Sequence, residues 1–203
     1  MLNITNILLI ILGYLFGSIP WALVIGKIFY KKDIRNFGSG NLGGTNAGRV
    51  LGKKAGVIVS VLDALKSFFI MLICNYISKD VMVYAGLACC IGHCFPIFAN
   101  FKGGKAVATA MGFYLGISVL LTNNFVYQFL MPVIIFFVTL YISKMVSLSS
   151  IIATLSASII SFLINNNITL SISMFILWIF VTYRHKENIK RIINKTEKKI
   201  TWM

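Results

Sequence analysis

The sequence predicts an all-α protein, a polytopic bundle of about seven transmembrane helices. Hydrophobic residues make up 58% of the 203 residues and charged residues only 12%, which is more apolar than a soluble core requires. Apolar stretches long enough to approach a membrane span also recur along the whole chain. We therefore expect one integral-membrane domain over residues 1–203.

The predicted spans are seven apolar stretches, at residues 4–28, 55–77, 81–98, 106–121, 125–142, 151–164 and 169–183. A helix rises about 1.5 Å per residue, so a crossing needs about 20 residues. Because the sixth and seventh stretches are shorter, they can alternatively form a re-entrant pair, which leaves the tail on the same side. The first stretch lacks a basic leader and a small-residue cleavage site, so a signal peptide does not fit.

The basic residues predict the orientation of the bundle. Of the 19 Lys and Arg residues, 17 fall on one face, with Lys79 opposite and Lys66 inside a span. By the positive-inside rule this face is cytoplasmic and the N-terminus lies outside. The net charge of +14 fits anionic lipid headgroups and anionic substrates. Nucleic acid is not expected, because the basic residues flank apolar spans without interleaved aromatic residues.

Small residues and one proline predict how the helices pack and bend. Gly13 and Gly17 in the first stretch, and Gly112 and Gly116 in the fourth, have the spacing that lets two helices approach closely. Pro20 is expected to kink or end the first helix.

Two groups of residues inside the apolar stretches have more than one interpretation. Asp63 and Lys66 share a helix face in the second stretch, where they are either functional or a mutually paired structural couple. Cys90, His93 and Cys94 suggest a metal, but no second ligand pair has zinc spacing. We therefore predict buried thiols and no metal site.

Residues 37–49, FGSGNLGGTNAGR, form what we call the first segment. Its glycines predict backbone folded around an anion rather than a packed element, because glycine leaves N–H groups free to point at a ligand. Further donors come from the side chains of Ser39, Asn41, Thr45, Asn46 and Arg49. The spacing also matches a dinucleotide fingerprint, but no strand precedes it, so we reject that reading.

Residues 92–109, GHCFPIFANFKGGKAVAT, form the second segment. Pro96 ends a helix, and a Gly-Gly turn between Lys102 and Lys105 precedes the next one. Two ammonium groups beside a helix N-terminus predict an anion site. The alternative is an interfacial loop whose lysines only follow membrane topology.

Residues 183–188, YRHKEN, form the third segment and lead into a basic tail. His185 and Asn188 share a face if the segment is helical, and His185 is either a base, a phosphate donor or structural. Isoleucines among lysines predict an amphipathic surface helix, at Ile189, Ile192, Ile193 and Ile200. The serines of residues 147–150 are expected to cap the sixth span.

The three segments closely resemble, in order and spacing, the three motifs of the PlsY family of bacterial acylphosphate:glycerol-3-phosphate acyltransferases. The matching stretches are GSGNLGGTNAGR at 38–49, GHCFPIFANFKGGKAVAT at 92–109 and RHKENIKR at 184–191. The resemblance extends to GSIP at 17–20, LDALK at 62–66 and SLSSI at 147–151. It implies transfer of an acyl group from acyl-phosphate to the sn-1 hydroxyl of glycerol 3-phosphate. The products would be lysophosphatidic acid and inorganic phosphate, formed at cytoplasmic loops of a multi-pass bacterial cell-membrane protein.

The resemblance also implies the roles of individual residues. The expected catalytic residues are Ser39, Arg49, Lys105, His185 and Asn188. The expected substrate-binding residues are Gly40, Asn41, Thr45, Asn46, Phe95, Lys102, Gly103, Gly104 and Ser150. No metal or other cofactor is expected, and the partners are the two substrates and membrane lipid. The oligomeric state is not predicted.

Three positions depart from the family pattern. Gly44 and Ala106 stand where alanine and glycine are usual, and Lys195 stands where the tail usually has a glycine. The last departure leaves the local turn and the role of Glu197 open.

The residues leave two rival functions. An organic-phosphate transporter would also gather basic loops on one face, but it would need polar residues in several spans, whereas only Asp63 and Lys66 are charged within one. A different acyltransferase, using an acyl-CoA donor, lacks support because neither histidine is followed by the His-x4-Asp spacing.

Overall fold

The computed structural model describes residues 3–200. These residues form α-helices joined by turns and short 3₁₀ and π-helical segments, with no strand among the described residues, so the all-α prediction is confirmed. The helices are α1 Ile4–Gly17, α2 Trp21–Tyr30, α3 Gly44–Leu51, α4 Lys53–Ile77, α5 Met82–Cys94, α6 Val107–Gly116, α7 Met131–Ser143, α8 Val146–Ile164, α9 Ile168–Arg184 and α10 Lys186–Ile193.

The chain divides into two compact units, one up to Gly116 and one from Ile117 onward. In unit 1, α4 packs against α1, α3, α5 and α6, and α1 packs along α5. In unit 2, α8 packs against both α7 and α9, and α10 contacts α8 and α9. The single-domain organisation stays a prediction.

Helices of spanning length and composition account for most of the predicted bundle. Four segments qualify alone, and two bent helix pairs raise the number to six among the described residues. The four are Lys53–Ile77, Lys79–Ala99, Val126–Ser143 and Val146–Ile164. All seven predicted stretches lie in helical segments, but Val107–Leu121 is shorter than a span. The count of seven therefore stays a prediction.

The first predicted span is two helices rather than one. Its α1 part ends at Gly17, and α2 begins at Trp21 after Pro20, with a bend of 41°. This confirms the expected effect of Pro20, whose missing N–H breaks the helical hydrogen-bond pattern. Helix α2 packs on α3 and on α4, around a small apolar core that includes Leu23, Ile34, Ala47, Leu51 and Val59.

The prediction that the first segment is not a packed element is wrong for its second half. Residues 44–51 form α3, which packs on α4. Ala47 and Leu51 bury their side chains in the apolar core, and Gly48 lies against Gly56 of α4. A Cβ at position 56 would lie 2.7 Å from the Gly48 Cα, so glycine is required for this approach. Residues 37–43 remain a loop with one 3₁₀ turn before it.

The glycine pairs pack helices together as predicted. A Cβ at Gly13 or Gly17 would overlap the backbone of α5, at Ala85 and Cys89 respectively. A Cβ at Gly112 would likewise overlap the α4 backbone. These contacts bring α1 onto α5 and α6 onto α4 at the close distances that small residues permit.

Two predictions about helix ends are wrong. Helix α8 already begins at Val146, so the serines lie inside it, and Ser149 and Ser150 donate their hydroxyls to carbonyls four residues earlier instead of capping. The amphipathic helix ends at Ile193, and Ile200 lies beyond it. The Ile200 N–H instead donates to the Lys144 carbonyl at 2.8 Å.

Candidate active site

The loop of the first segment is held by the side chain of Asn46, which is 1% exposed. Its Oδ1 accepts from the Ser39 N–H at 2.8 Å, and its Nδ2 donates to the carbonyls of Ile34 and Phe37 at 3.2 Å each. All three partners are backbone groups of this irregular stretch, and the two carbonyls also accept from the N–H groups of Phe37 and Gly40. Asn46 therefore shapes the loop, and its direct contact with substrate stays a prediction.

Three polar side chains of the first segment are exposed, those of Ser39, Thr45 and Arg49, and Asn41 is half-buried. Thr45 and Arg49 are four residues apart on α3, so they share one exposed face. Ser39 lies at the turn whose backbone Asn46 holds. This arrangement presents two hydroxyls and one guanidinium, all of which donate hydrogen bonds to phosphate oxygens.

Ion pairing distinguishes Arg49 from its neighbour Arg35. The Arg35 guanidinium binds Asp33 through Nε to Oδ1 at 2.9 Å and Nη2 to Oδ2 at 2.6 Å. These bonds from Arg35 lower the pKa of the Asp33 carboxyl to about 2. Arg49 forms no ion pair within residues 3–200. The positive charge of Arg49 is thus available to an anionic ligand, whereas that of Arg35 is already paired with Asp33.

The second segment folds back on the end of α5. The N–H of Gly103 donates to the Cys94 carbonyl at 3.2 Å, and the N–H of Gly104 donates to the His93 carbonyl at 3.0 Å. A Cβ at Gly103 would overlap the His93 carbonyl oxygen, and one at Gly104 would overlap the His93 ring. The Gly-Gly pair therefore lets the backbone lie directly against α5 and places Lys105 just before α6.

A buried charge cluster lies behind this turn, formed by Asp63, Lys66 and His93. The Lys66 Nζ is 3.0 Å from Asp63 Oδ1 and 3.1 Å from His93 Nδ1. It also donates to the carbonyls of Gly17 and Ile19, at 2.9 and 3.0 Å, where α1 ends. The pairing of Asp63 with Lys66 is confirmed, the choice between a structural and a functional pair stays a prediction, and His93 is a third member that the sequence did not reveal.

Helix α4 supports both segments of unit 1. Gly44, at the start of α3, lies so close to α4 that a Cβ there would be 2.8 Å from the Gly56 carbonyl oxygen and would overlap the Ser60 hydroxyl. One turn further along α4, Asp63 and Lys66 contact His93 and so reach the second segment. One helix therefore sets the position of both anion-binding candidates.

In unit 2, His185 lies at the 63° bend between α9 and α10. Its Nδ1 is 2.8 Å from the Val181 carbonyl oxygen. A carbonyl only accepts, so Nδ1 carries the proton and the lone pair of the neutral ring is on Nε2. This tautomer suits a base or an acceptor at Nε2.

Asn188 and the tail form a second polar group in unit 2, centred on Glu197. The Glu197 carboxylate accepts from Asn188 Nδ2 at 2.7 Å, from the Ser147 hydroxyl at 2.7 Å and from Arg191 Nε at 2.8 Å. Burial alone would raise the pKa of Glu197, but these three bonds outweigh it and the pKa lies below its usual value. Glu197 thus orients Asn188, a role that the sequence left open.

The predicted site residues fall into two sets, each described within its own unit. Unit 1 holds the residues of the first and second segments, which are Ser39, Gly40, Asn41, Thr45, Asn46, Arg49, Phe95, Lys102, Gly103, Gly104 and Lys105. Unit 2 holds Ser150, His185 and Asn188. The hydroxyl of buried Ser150 donates to the Val146 carbonyl, and the carbonyl of Phe95 accepts from the Tyr14 hydroxyl at 2.8 Å. Lys102 is exposed and Lys105 is half-buried.

The fold and these segments define an integral-membrane helical protein with basic, donor-rich loops. The profile of the glycerol-3-phosphate acyltransferase family matches residues 7–195. A glycerol-3-phosphate acyltransferase 2 of Bacillus anthracis is 47% identical over 196 residues, 96% of this chain and 99% of that protein. The chain belongs to the PlsY family of glycerol-3-phosphate acyltransferases, as its three segments predicted.

Solved structures agree with this assignment. The crystal structure of PlsY, an integral membrane glycerol 3-phosphate acyltransferase, in its glycerol 3-phosphate form has a TM-score of 0.89 at 36% identity. The match covers 97% of this chain and 96% of that one. The lysophosphatidic acid form of the same protein has a TM-score of 0.86 with the same identity and coverage.

Proposed function

We propose that this protein transfers an acyl group from acyl-phosphate to the sn-1 hydroxyl of glycerol 3-phosphate, giving lysophosphatidic acid and inorganic phosphate. The observation that carries this proposal is the first segment, where Asn46 holds the loop that contains Ser39, and the following helix α3 exposes Thr45 and an unpaired Arg49. Support also comes from the solved relative, which was crystallised in forms named for glycerol 3-phosphate and lysophosphatidic acid.

The reaction needs positioning and charge stabilisation more than a protein nucleophile. The sn-1 oxygen attacks the acyl carbonyl carbon, the bond from that carbon to the phosphate oxygen breaks, and phosphate leaves with the electron pair. An acyl-phosphate is a mixed anhydride and is already activated, so holding the two substrates in line supplies much of the rate. The cationic groups of the site stabilise the charge that develops on the leaving phosphate.

The residues divide between the two phosphate groups. In this proposal Arg49 and Lys105 hold phosphate, residues 39–46 donate hydrogen bonds to the acyl-phosphate, and the second segment with Lys105 binds glycerol 3-phosphate. His185 and Asn188 orient glycerol 3-phosphate. The proton of the attacking hydroxyl passes either to Nε2 of His185, which bears the lone pair when Nδ1 donates to Val181, or to a substrate phosphate.

The membrane arrangement is part of the same proposal. The active-site segments and the C-terminus face the cytoplasm and the N-terminus lies outside, as the distribution of 17 basic residues predicts. Glycerol 3-phosphate then reaches the site from the aqueous side, and the acyl chain of the donor reaches it from the membrane.

The test follows phosphate release by the purified protein from palmitoyl-phosphate, with and without glycerol 3-phosphate, beside palmitoyl-CoA as donor. We expect release only when palmitoyl-phosphate and glycerol 3-phosphate are both present. Arg49→Ala should lower release by about 100-fold, because it removes at least one charge-assisted hydrogen bond to phosphate. Arg35→Ala is the matched control and should stay within a few-fold of wild type, because Arg35 is already bound to Asp33.

Two other outcomes would change the proposal. Activity with palmitoyl-CoA alone would replace the donor. Folded protein with no release under any condition would favour the transporter, which phosphate flux into proteoliposomes would then measure. A His185→Ala variant that loses turnover but keeps the wild-type pH–rate profile near neutrality would assign the proton to a substrate phosphate.

A further inference from the structure

The Lys66 ammonium lies at the meeting point of three helices. It has three N–H donors and four acceptors within 3.1 Å, which are the Gly17 and Ile19 carbonyls, Asp63 Oδ1 and His93 Nδ1. Lys66 is only 4% exposed and Asp63 1%, so neither charge is compensated by water. Such a group tolerates little displacement of any partner, because a buried charge that loses its partner is strongly destabilising.

His93 connects this cluster to the second segment. Its Nδ1 faces Lys66, and it lies 3.5 Å from Asp63 Oδ1. On the other side of the same ring, a Cβ built at Gly104 would meet three His93 ring atoms first, and it would overlap Nε2. The His93 carbonyl also accepts the Gly104 N–H at 3.0 Å. The imidazole is therefore held between the buried charges and the glycine turn.

We propose that Asp63, Lys66 and His93 are positioning residues for the glycerol 3-phosphate site. The cluster sets the orientation of the His93 ring, and the ring sets how closely the Gly103–Gly104 backbone approaches α5. This backbone in turn places Lys105 just before α6. The inference rests on the role proposed above for Lys105 in holding phosphate.

An ion pair of Asp63 and Lys66 alone would not satisfy the ammonium. The three N–H groups of Lys66 are matched by the Gly17 and Ile19 carbonyls and by His93 Nδ1, whereas Asp63 Oδ1, 3.0 Å away, pairs with its charge without a hydrogen bond. His93 is therefore a necessary partner of the buried charge, and it leads to a turn in which glycine is required because of that same ring. The cluster thus contacts, through the His93 ring, a segment that carries two lysines, Lys102 and Lys105.

The test is a double-mutant cycle of His93→Ala and Gly104→Ala. The measured quantities are KM for glycerol 3-phosphate, KM for palmitoyl-phosphate, kcat and Tm. Each single substitution should raise KM for glycerol 3-phosphate about 10-fold while changing KM for palmitoyl-phosphate less than about 2-fold. Because His93→Ala removes the ring that a Cβ at position 104 would overlap, the double variant should be no worse than His93→Ala alone. Contacting residues show couplings of about 2- to 150-fold in such cycles.

The control is Cys74→Ala, which removes a buried side chain from α4 eight residues beyond Lys66. It should lower Tm by cavity formation and leave both KM values unchanged. Should His93→Ala fail to fold, His93→Asn keeps a polar group toward Lys66, and it should restore Tm while KM for glycerol 3-phosphate remains raised.

Effects that multiply in the double variant, or a loss confined to Tm and kcat, would overturn the inference. Titration calorimetry with glycerol 3-phosphate separates this result from a failure of the proposed donor. If wild type binds glycerol 3-phosphate but releases no phosphate from palmitoyl-phosphate, the donor is wrong, and the same cycle measured in Kd still decides the inference.

Discussion

The first and second segments are both glycine-rich, basic and in unit 1, yet different groups hold them in place. A neutral amide, Asn46, organises the first through three hydrogen bonds to backbone. A buried ionic cluster lies behind the second, whose backbone also bonds directly to α5. They differ in backbone as well. The first segment has positive φ only at Gly38 and Gly40, whereas the second has it at Asn100, Phe101 and Ala106.

The two segments therefore differ in where their supporting groups lie along the chain. In the first segment the support is local, because Asn46 lies within 12 residues of every group it bonds. In the second segment the support comes from residues 38 and 41 positions earlier in the chain than Gly104, on another helix. Local support is sensitive to a single residue, and distant support is sensitive to the packing of several helices.

The largest expected effect comes from Asn46→Asp, which tests whether one amide supports the first segment. The change keeps the shape and the bond from the Ser39 N–H, but it removes the donor to the Ile34 and Phe37 carbonyls, which keep only their bonds from the Phe37 and Gly40 N–H groups. It also turns a buried carboxylate oxygen toward two carbonyl oxygens, and a buried charge that faces acceptors instead of donors costs several kcal/mol, so kcat/KM should fall at least about 100-fold. Wild-type kinetics in this variant would show that the loop keeps its shape without the amide.

The control for this change is Asn36→Asp, the same substitution at an exposed position of the preceding turn. It adds the same negative charge near the first segment, so a comparable loss there would assign the effect to charge rather than to support.

Much of the fold followed from hydrophobic patterning. Apolar stretches located every spanning helix to within a turn or two, and Pro20 and the Gly13 and Gly17 pair correctly marked a bend and a close contact. The same rules missed α3, because glycines in a polar run predict a loop, whereas Gly48 here provides room for a helix against Gly56. Burial on another helix overrode the local propensity.

Less of the site could be derived in this way. Composition identified the segments that carry phosphate donors, and Asp63 and Lys66 were recognised as a possible pair. Neither the contact with His93 nor the bonds of Glu197 are visible in sequence. Two of these contacts join residues that are 27 or more positions apart, and the bonds from Asn188 and Arg191 to Glu197 span nine and six positions of an irregular tail. Such contacts depend on how helices pack, and spacing along one helix does not reveal them.

A smaller effect is expected at Gly44, which tests how closely the first segment depends on α4. Gly44→Ala places a Cβ 2.8 Å from the Gly56 carbonyl oxygen and onto the Ser60 hydroxyl. Overpacking of this kind costs about 1–3 kcal/mol, so Tm should fall by several degrees. Adding Ser60→Ala removes the overlapping oxygen and should restore part of the loss. A double variant no more stable than Gly44→Ala would place the strain at Gly56 alone.

The smallest effect is a gain, and it tests the left-handed backbone at Ala106 of the second segment and at Lys195 of the tail. Ala106 has φ of 59° and Lys195 has φ of 58°, the left-handed region that costs a non-glycine residue about 1–2 kcal/mol. Both are positions where the family pattern has glycine, so the departures carry strain that Ala106→Gly and Lys195→Gly should each relieve. Glycine also gains freedom in the unfolded chain, worth about 0.4–1 kcal/mol, so the net rise is about 1 kcal/mol or less. Thermal unfolding in detergent should show Tm increases of about 2–4 °C at most.

Ala108→Gly, the same change inside α6, should instead lower Tm, since glycine costs about 1 kcal/mol in a helix. If Ala106→Gly also lowers Tm, the second segment gains more from the methyl group of Ala106, which is fully buried, than it loses in backbone strain.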